Sequence, residues 1–457
     1  FSDSAYLCDM SKQNSPLVLG TERISKLLTQ YAIPAIIAMT ASSLYNMADS
    51  IFIGHGVGPL AISGLALTFP LMNLAAAFGS LVGVGASTLV SVKLGQKDYE
   101  GANKVLGNVL VLNVVLGLAF TLVFMLLLDP ILYFFGASEN TISYARDYMN
   151  VILIGNVITH MYLGLNAVLR SSSFPKLAMY ATLASVVINC VLNPLFIFGF
   201  GWGIKGSAWA TVISQVISLT GQLIHFSRPK ELLHFKKGIY RLKSEIVKGI
   251  LYIGMSPFLM NLCACLIVIL INRGLKEHGG DMAIGAYGIV NRVVFLFIMI
   301  IMGFNQGMQP IAGYNFGARQ YSRVTEVTKL TMKWAIGVAT TGFLLCQLFP
   351  SVIVRMFTTD PELIEAAVYG LHIVFAVFPI VGFQMVATNF FLSIRMSKKA
   401  IFLSLTRQML FLVPCLLILP RWFGTLGVWI SIPIADTTAT IVTALVLINQ
   451  FRKFHSK

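Results

Sequence analysis

Charged residues are scarce in this chain. Only 11% of its 457 residues are Asp, Glu, Lys or Arg, whereas a soluble globular domain has about 25%. Hydrophobic residues make up 56% of the sequence, and apolar runs of about 20 residues recur along it. These runs do not alternate between apolar and polar positions, as the strands of a membrane barrel do. The sequence therefore predicts an all-α polytopic membrane protein.

Several functional motifs are also missing. The sequence has no GxxxxGK[ST] phosphate loop, no TVGYG-like filter, no arginine ladder, and no HExxH or GxSxG motif. These absences count against ATP-driven transport, channel conduction and hydrolytic chemistry. The six cysteines are scattered and five lie within apolar runs, so we expect no disulfide framework and no cysteine metal site. We expect no enzyme activity and no cofactor.

The apolar runs divide the chain into twelve predicted spans. Their limits are 27–52, 61–93, 105–128, 142–169, 177–199, 205–227, 246–272, 282–316, 330–356, 364–394, 400–420 and 426–450. We expect them to form two six-helix lobes, an N-lobe (27–227) and a C-lobe (246–450), around a central cavity, for reasons given below. A linker at 228–245 joins the lobes, and tails at 1–26 and 451–457 flank them.

Basic residues follow the predicted loops. Most of the 33 Lys and Arg residues fall in the tails or in loops after even-numbered spans, and segment 227–248 is the densest. This bias predicts that both termini and the linker lie in the cytoplasm, for a protein of the inner (plasma) membrane surrounded by lipid. It also accounts for the net charge of +15 without a nucleic-acid partner.

The two halves of the sequence resemble each other. Segment GASTLVSVKLGQKDY (85–99) aligns with GMQPIAGYNFGARQY (307–321), 222 residues later. Pro34 in the first span similarly aligns with Pro257 in the seventh, and we expect a helix bend at each. A repeat of six spans keeps both copies in the same orientation. That plan is typical of transporters with a substrate path between two parallel repeats.

Asp49 is an acid within the first apolar span. An intramembrane carboxylate costs a few kcal/mol, which makes function the favoured interpretation. Counting residues from the outer ends of the spans places Asn193 and Thr211 at a similar depth, Asn189 one turn deeper, and Asn166 opposite Asn189. Such oxygen ligands suit a hard cation, and a buried carboxylate can also carry a proton. The alternative is that the amides and the hydroxyl only join helices together.

Two further charged residues lie within spans. Arg292 and Asp436 are each ten residues from the outer ends of the eighth and twelfth spans, so we expect them to pair. A structural ion pair is favoured over a proton relay. His160 and His372 are interpreted as core residues.

Four segments carry a resemblance to a known family. They are YNMADSIFIGHGVGPLAISGLA (45–66), GVGASTLVSVKLGQKDYEGA (83–102), NCVLNPLFIFGFGWGIKGSAWATVISQ (189–215) and MQPIAGYNFGARQ (308–320). With them the chain resembles the multidrug and toxic compound extrusion (MATE) family over about residues 20–450. The resemblance implies two six-helix lobes around a V-shaped cavity, and export of organic cations driven by Na⁺ or H⁺ entry.

The resemblance also implies a cation-coupling site in the N-lobe. Its members carry over to Asp49, Asn166, Asn189 and Thr211, with Tyr148 matching a tyrosine of the fourth helix. Many relatives have a second aspartate where this chain has Asn193.

The C-lobe departs from one branch of the family. Segments 260–270 and 378–389 contain no acid, whereas that branch has a glutamate in span seven and an aspartate in span ten. The chain thus resembles the bacterial-type branch without these acids, which favours coupling through the N-lobe alone.

The favoured hypothesis is a secondary exporter that exchanges H⁺ or Na⁺ for organic cationic or amphipathic substrates. No metal is expected other than Na⁺ at the coupling site, and we expect a monomer. Substrate contacts are assigned to Gln306, Gln384 and Met302. The alternative is a flippase for lipid-linked precursors, which should have more cations in its cavity. A channel or receptor lacks support, because the sequence has neither a filter nor a soluble sensor domain.

Overall fold

The computed structural model describes residues 17–135, 137–357 and 359–455, and every regular element in them is helical. The α-helices are α1 (Val18–Thr21), α2 (Ile24–Gly56), α3 (Pro59–Gly95), α4 (Tyr99–Leu126), α5 (Leu128–Phe134), α6 (Ile142–Ile154), α7 (Asn156–Ser171), α8 (Pro175–Pro194), α9 (Gly203–Phe226), α10 (Ser244–Gly280), α11 (Met282–Gly317), α12 (Tyr321–Leu348), α13 (Pro350–Arg355), α14 (Pro361–Phe375), α15 (Phe378–Ser393), α16 (Ser397–Leu405), α17 (Val413–Phe423) and α18 (Thr425–His455). Single π-helical segments extend α8 over Leu195–Gly199 and join α16 to α17 over Thr406–Leu412.

The predicted all-α class is confirmed, and its twelve-span layout agrees with the helices. Eight described helices are long and apolar enough to cross a membrane, and ten spans result if each of two bent pairs counts once. The bent pairs are α6 with α7, at 55°, and α14 with α15, at 53°. The other two predicted spans coincide with α9 and α12, which carry more polar residues along their length.

Left-handed backbone positions repeat between the two halves of the chain. A positive φ is uncommon in proteins and is unfavourable for residues with a Cβ. Matching positions that share a positive φ therefore indicate shared loop geometry. Three pairs are each separated by 222 residues: Gly58 and Gly280, Lys97 and Arg319, and Ser173 and Arg395. The backbone thus repeats at the spacing of the sequence similarity.

The chain forms two compact units that do not coincide with its two sequence halves. Unit 1 contains residues 37–258 together with the described residues up to Thr21, and unit 2 contains residues 22–36 together with those from Leu259 onward. The boundaries follow Pro34 by two residues and Pro257 by one. A proline inside a helix removes one backbone hydrogen bond, which makes these positions natural places for a helix to change its surroundings.

Within unit 1, the segment that links the two halves is fixed to α4. The Asn103 side chain donates to the Leu232 carbonyl at 3.1 Å and accepts from the His234 amide at 3.0 Å. Five residues further along α4, Asn108 accepts from the Lys243 amide at 3.0 Å and donates to the carbonyls of Ile239 and Arg241. Two buried side-chain amides thus form hydrogen bonds with backbone groups of the linking segment, which has no regular secondary structure of its own.

Close helix packing in unit 1 depends on a glycine. Gly85 of α3 lies against the backbone of α10, where an added Cβ would overlap the Ile250 carbonyl. Small residues allow helix backbones to approach this closely in membrane proteins.

Candidate cation-coupling site

Helix α2 carries Asp49 into the interior of unit 1, where the residue is 6% exposed. Its Oδ1 atom accepts hydrogen bonds from the Asn193 amide of α8 and from the Ser207 hydroxyl of α9. Hydrogen bonds to a charged acceptor are stronger than those between neutral groups, at about 1.5–3 kcal/mol each. Three helices therefore meet at one carboxylate oxygen.

A second layer of polar contacts lies one helical turn away. The Tyr45 and Thr211 hydroxyls are 2.7 Å apart, and the Asn189 amide donates to Thr211 at 3.1 Å and to Tyr45 at 3.5 Å. The Asn193 side-chain amide also lies 3.5 Å from the side-chain oxygen of Asn189, and this contact connects the two layers.

Helical periodicity explains why these residues meet. Each of the three helices contributes two residues four apart, which lie on the same face. The pairs are Tyr45 with Asp49, Asn189 with Asn193, and Ser207 with Thr211. We call these six residues the Asp49 cluster.

Tyr148 lies in the apolar wall beside the Asp49 cluster. It is 1% exposed and belongs to a buried group of side chains that includes Ile53, Ile197 and Ile204. It also lies within electrostatic range of Asp49 and Tyr45. An apolar wall lowers the local dielectric constant, so each charge–dipole interaction at Asp49 is stronger than it would be in water.

The structure brings four of the predicted residues into the Asp49 cluster: Asp49, Asn189, Asn193 and Thr211. Tyr45 and Ser207 were not predicted from the sequence. Both lie four residues from a predicted member, so the same periodicity that aligns Asn189 with Asn193 could have identified them.

Asn166 belongs to a different group of side chains. Its amide donates to the Ala178 carbonyl at 2.9 Å and to the Thr182 hydroxyl at 3.3 Å, and its oxygen accepts from Arg170. The predicted convergence of Asn166 on Asp49 is therefore corrected. The expected position opposite Asn189 did not bring Asn166 to Asp49, because its side chain bonds to Arg170, Ala178 and Thr182.

The predicted pair of Arg292 with Asp436 is also corrected. Asp436 of α18 is 4% exposed and accepts from the Arg407 Nε atom at 2.7 Å. Arg407 lies in the π-helical segment Thr406–Leu412, whereas Arg292 is exposed. Widening the helix by one residue turns the following side chains, and π-helical segments often lie at functional sites.

Other predicted residues lie outside the Asp49 cluster. Gln384 is 3% exposed in unit 2 and Met302 and Gln306 are half-buried there, so their assignment to a substrate path stays a prediction. His160 lies 3.0 Å from the Ala75 carbonyl, and His372 lies 2.7 Å from the Gln347 side chain, as core histidines would.

The Asp49 cluster contains a single acid. Within the residues that the structure describes, no group of three or more His, Cys, Asp or Glu side chains is arranged to hold a metal ion. What the cluster offers is one carboxylate with amide and hydroxyl oxygens close by. This donor set suits a proton, or a singly charged hard cation such as Na⁺.

Comparisons with known proteins agree with this architecture. A family model described as MatE matches residues 34–195 and 253–417. Multidrug export protein MepA of Staphylococcus aureus (strain N315) is 29% identical over 428 residues, which cover 93% of each chain. MepA of Staphylococcus haemolyticus (strain JCSC1435) is 28% identical over the same share.

Solved structures are similar over nearly the whole chain. The MATE multidrug transporter DinF-BH is 38% identical, with a TM-score of 0.89 over 96% of this chain and 98% of that one. The outward-facing conformation of a multidrug resistance MATE family transporter is 24% identical with a TM-score of 0.90, which supports the fold. The predicted family resemblance is therefore confirmed, and the chain belongs to the MatE family.

Proposed function

We propose that this chain is a secondary active multidrug exporter in which a small cation moving inward through unit 1 drives organic cations outward. The observation that carries the proposal is the buried Asp49 carboxylate, held at one oxygen by Asn193 and Ser207. MepA is named a multidrug export protein and DinF-BH a multidrug transporter, and both names support export of organic compounds by this chain. Members of this family are transporters and not enzymes.

Neutralising Asp49 would change the contacts of α2. The charged carboxylate draws the Asn193 amide and the Ser207 hydroxyl toward Oδ1, and these bonds weaken when a bound cation removes the charge. Helix α2 passes from unit 2 to unit 1 at residues 36 and 37, two residues after Pro34. A change in the contacts at Asp49 therefore acts on a helix whose two ends pack in different units.

The single carboxylate favours H⁺ as the coupling ion. The side-chain oxygen of Asn193, Oδ1, is buried and has no hydrogen-bond partner among the described residues. A protonated Asp49 has an O–H group that can donate to this oxygen, whereas the charged form cannot. Na⁺ remains the alternative, because the same oxygens could contact it.

Substrate would be held apart from Asp49, by apolar contacts and by the predicted residues Met302, Gln306 and Gln384. Met is flexible enough to adapt to varied apolar ligands. The transporter would be a monomer of the plasma membrane with both termini in the cytoplasm, as the basic residues predict.

The test is transport of ethidium, a fluorescent organic cation, by purified protein in liposomes, with a pH gradient imposed alone and an Na⁺ gradient imposed alone. We expect Asp49→Asn to abolish gradient-driven ethidium transport while the protein remains folded, as followed by its circular dichroism spectrum. Asp98→Asn is the matched control, because Asp98 lies in the turn between α3 and α4 and is bonded to Lys93. Transport by Asp49→Asn at the wild-type rate would exclude the proposal. Transport of a lipid-linked substrate in place of ethidium would favour the flippase.

A further inference from the structure

Helix α9 carries a line of polar residues along one face, from the Asp49 cluster almost to its last residue. The members are Ser207, Thr211, Ser214, Ser218, Gln222 and His225, which we call the α9 stripe. The spacings of three and four residues keep them on one side of the helix. The eighteen residue steps from Ser207 to His225 correspond to about 27 Å, nearly the thickness of a hydrocarbon core.

The inner part of the α9 stripe contains buried polar atoms that have no protein partner. Ser218, Gln222 and His225 are 5%, 1% and 6% exposed. The Ser218 hydroxyl, both amide atoms of Gln222 and the His225 Nε2 atom lack hydrogen-bond partners among the described residues. Buried polar atoms are normally paired, and those without a protein partner are usually paired with water.

Polar side chains of α7 and α8 line the opposite side. The Ser185 hydroxyl of α8 donates to the Ser214 hydroxyl at 3.4 Å. The Tyr162 side chain of α7 lies near Ser185 and Thr182, and Thr182 accepts from Asn166. At Ser214 the α9 stripe therefore meets a second series of polar side chains.

The stripe ends at the loop that joins α7 to α8. The His225 and Phe174 rings pack edge to face at 4.5 Å. In the same loop the Ser173 hydroxyl is buried and has no hydrogen-bond partner in the described part of the chain, and Arg170 at the end of α7 is bonded to Asn166. The polar groups thus continue from the Asp49 cluster to one end of unit 1.

A purely structural role would leave a different pattern. Hydroxyls and amides that join membrane helices make hydrogen bonds across the interface, as Ser185 and Ser214 do. Gln222 makes no such bond among the described residues although it is almost completely buried. In a dry interface, that arrangement would cost more than an apolar side chain of similar size.

We propose that the α9 stripe and the facing oxygens of α7 and α8 form a hydrated path, along which the coupling cation moves between Asp49 and the loop at 172–174. The proposal rests on the proposed function, because it supplies the inner half of the ion's route. Water and hydroxyl oxygens pass protons along and also solvate Na⁺, so the path serves either ion. Asn166 then belongs to this route and does not contact the ion at Asp49.

The test substitutes Gln222→Leu, which keeps the volume and removes the polar group. Ethidium transport in liposomes is measured under a pH gradient alone and under an Na⁺ gradient alone. We expect maximal transport to slow about tenfold under the gradient that drives the wild type, the effect of raising one barrier by roughly one hydrogen bond. The KM for ethidium should change less than about twofold, because substrate binding is untouched.

Melting temperature separates a path from a structural role. Gln222 makes no hydrogen bond to protein groups among the described residues, so its replacement by Leu removes no stabilising contact and should leave the melting temperature unchanged. We therefore expect a stable but slow protein. Thr220→Val is the matched control on the exposed side of α9, where the hydroxyl bonds only to its own helix, and it should transport normally.

Two results would overturn the path. One is wild-type transport by Gln222→Leu, and the other is a slowing matched by a fall in melting temperature. Asp49→Asn, measured in parallel, keeps the two proposals distinct. If Asp49→Asn is inactive and Gln222→Leu is normal, the path fails while the proposed function stands. If Asp49→Asn transports normally, the proposed function itself fails.

Discussion

The Arg407–Asp436 pair allows a direct test of which arginine neutralises the buried acid of unit 2. Asp436 has 6% of its side chain exposed and Arg407 has 27%, and the Nε to Oδ1 distance is 2.7 Å. Removing one partner of a buried pair typically costs about 3–5 kcal/mol, because the other charge is left buried and alone. Since Arg407 keeps some exposure, we expect Arg407→Leu to cost about 3 kcal/mol, at the lower end of that range.

A double variant should recover much of this loss. When Arg407→Leu is combined with Asp436→Leu, neither charge remains. We therefore expect the free energy of unfolding of the double variant to lie within about 1 kcal/mol of the wild-type value. Arg292→Leu is the control, because Arg292 is exposed, and a change at such a position usually costs less than about 0.5 kcal/mol.

Equilibrium unfolding in mixed micelles, followed by circular dichroism during a titration with sodium dodecyl sulfate, measures these differences. Two outcomes would refute the pairing. In one, Arg292→Leu destabilises the protein as much as Arg407→Leu. In the other, the double variant loses the sum of its two single losses, which would show that the two residues do not interact.

Three further predictions concern unit 1. Ser207→Ala removes a donor to Asp49, so gradient-driven ethidium transport should fall about tenfold, and an unchanged rate would contradict the site. Gly85→Ala should lower the melting temperature because its Cβ meets the Ile250 carbonyl, whereas Gly221→Ala, where nothing lies within 4 Å, should not; equal melting temperatures would contradict this packing. The pKa of Asp98 is lowered by the Lys93 side chain and, to a smaller degree, by the Gly101 amide. The stability that Asp98 contributes is therefore present above the ordinary carboxyl range, and it is lost as the pH falls through the lowered pKa. Asp98→Asn should flatten the acid limb of a plot of melting temperature against pH, and an unaltered limb would exclude a contribution from Asp98.

Much of the fold could be predicted because membrane spans and repeats leave strong patterns in a sequence. Long apolar runs identify helices, since no other open structure satisfies the backbone in lipid. The similarity between segments 85–99 and 307–321 has the spacing that relates Lys97 to Arg319 in the backbone. The two compact units were harder to predict, because the packing of residues 22–36 with unit 2 leaves no trace in composition.

The site was predicted only in part, because counting residues along a helix gives depth and not direction. Depth aligned Asp49 with Asn193 and Thr211, which do meet in the Asp49 cluster. It also aligned Arg292 with Asp436, although the partner of Asp436 is Arg407. The π-helical segment that contains Arg407 alters the rotation of side chains, and no simple sequence rule reveals such a segment.

The exchange of helix segments between the two units limits how this protein could be divided. A polypeptide that ended at the linker would contain residues 22–36 but not the surface of α11 that receives them, where Ala32 contacts Gly307 and Ile36 contacts Gly303. Neither half of the sequence would contain all the residues of one compact unit. Production of the halves from separate messages should therefore yield stable protein only when both are made together. The half-length precursor implied by the repeat would have needed a second copy of itself, with the first segment of each chain completing the other.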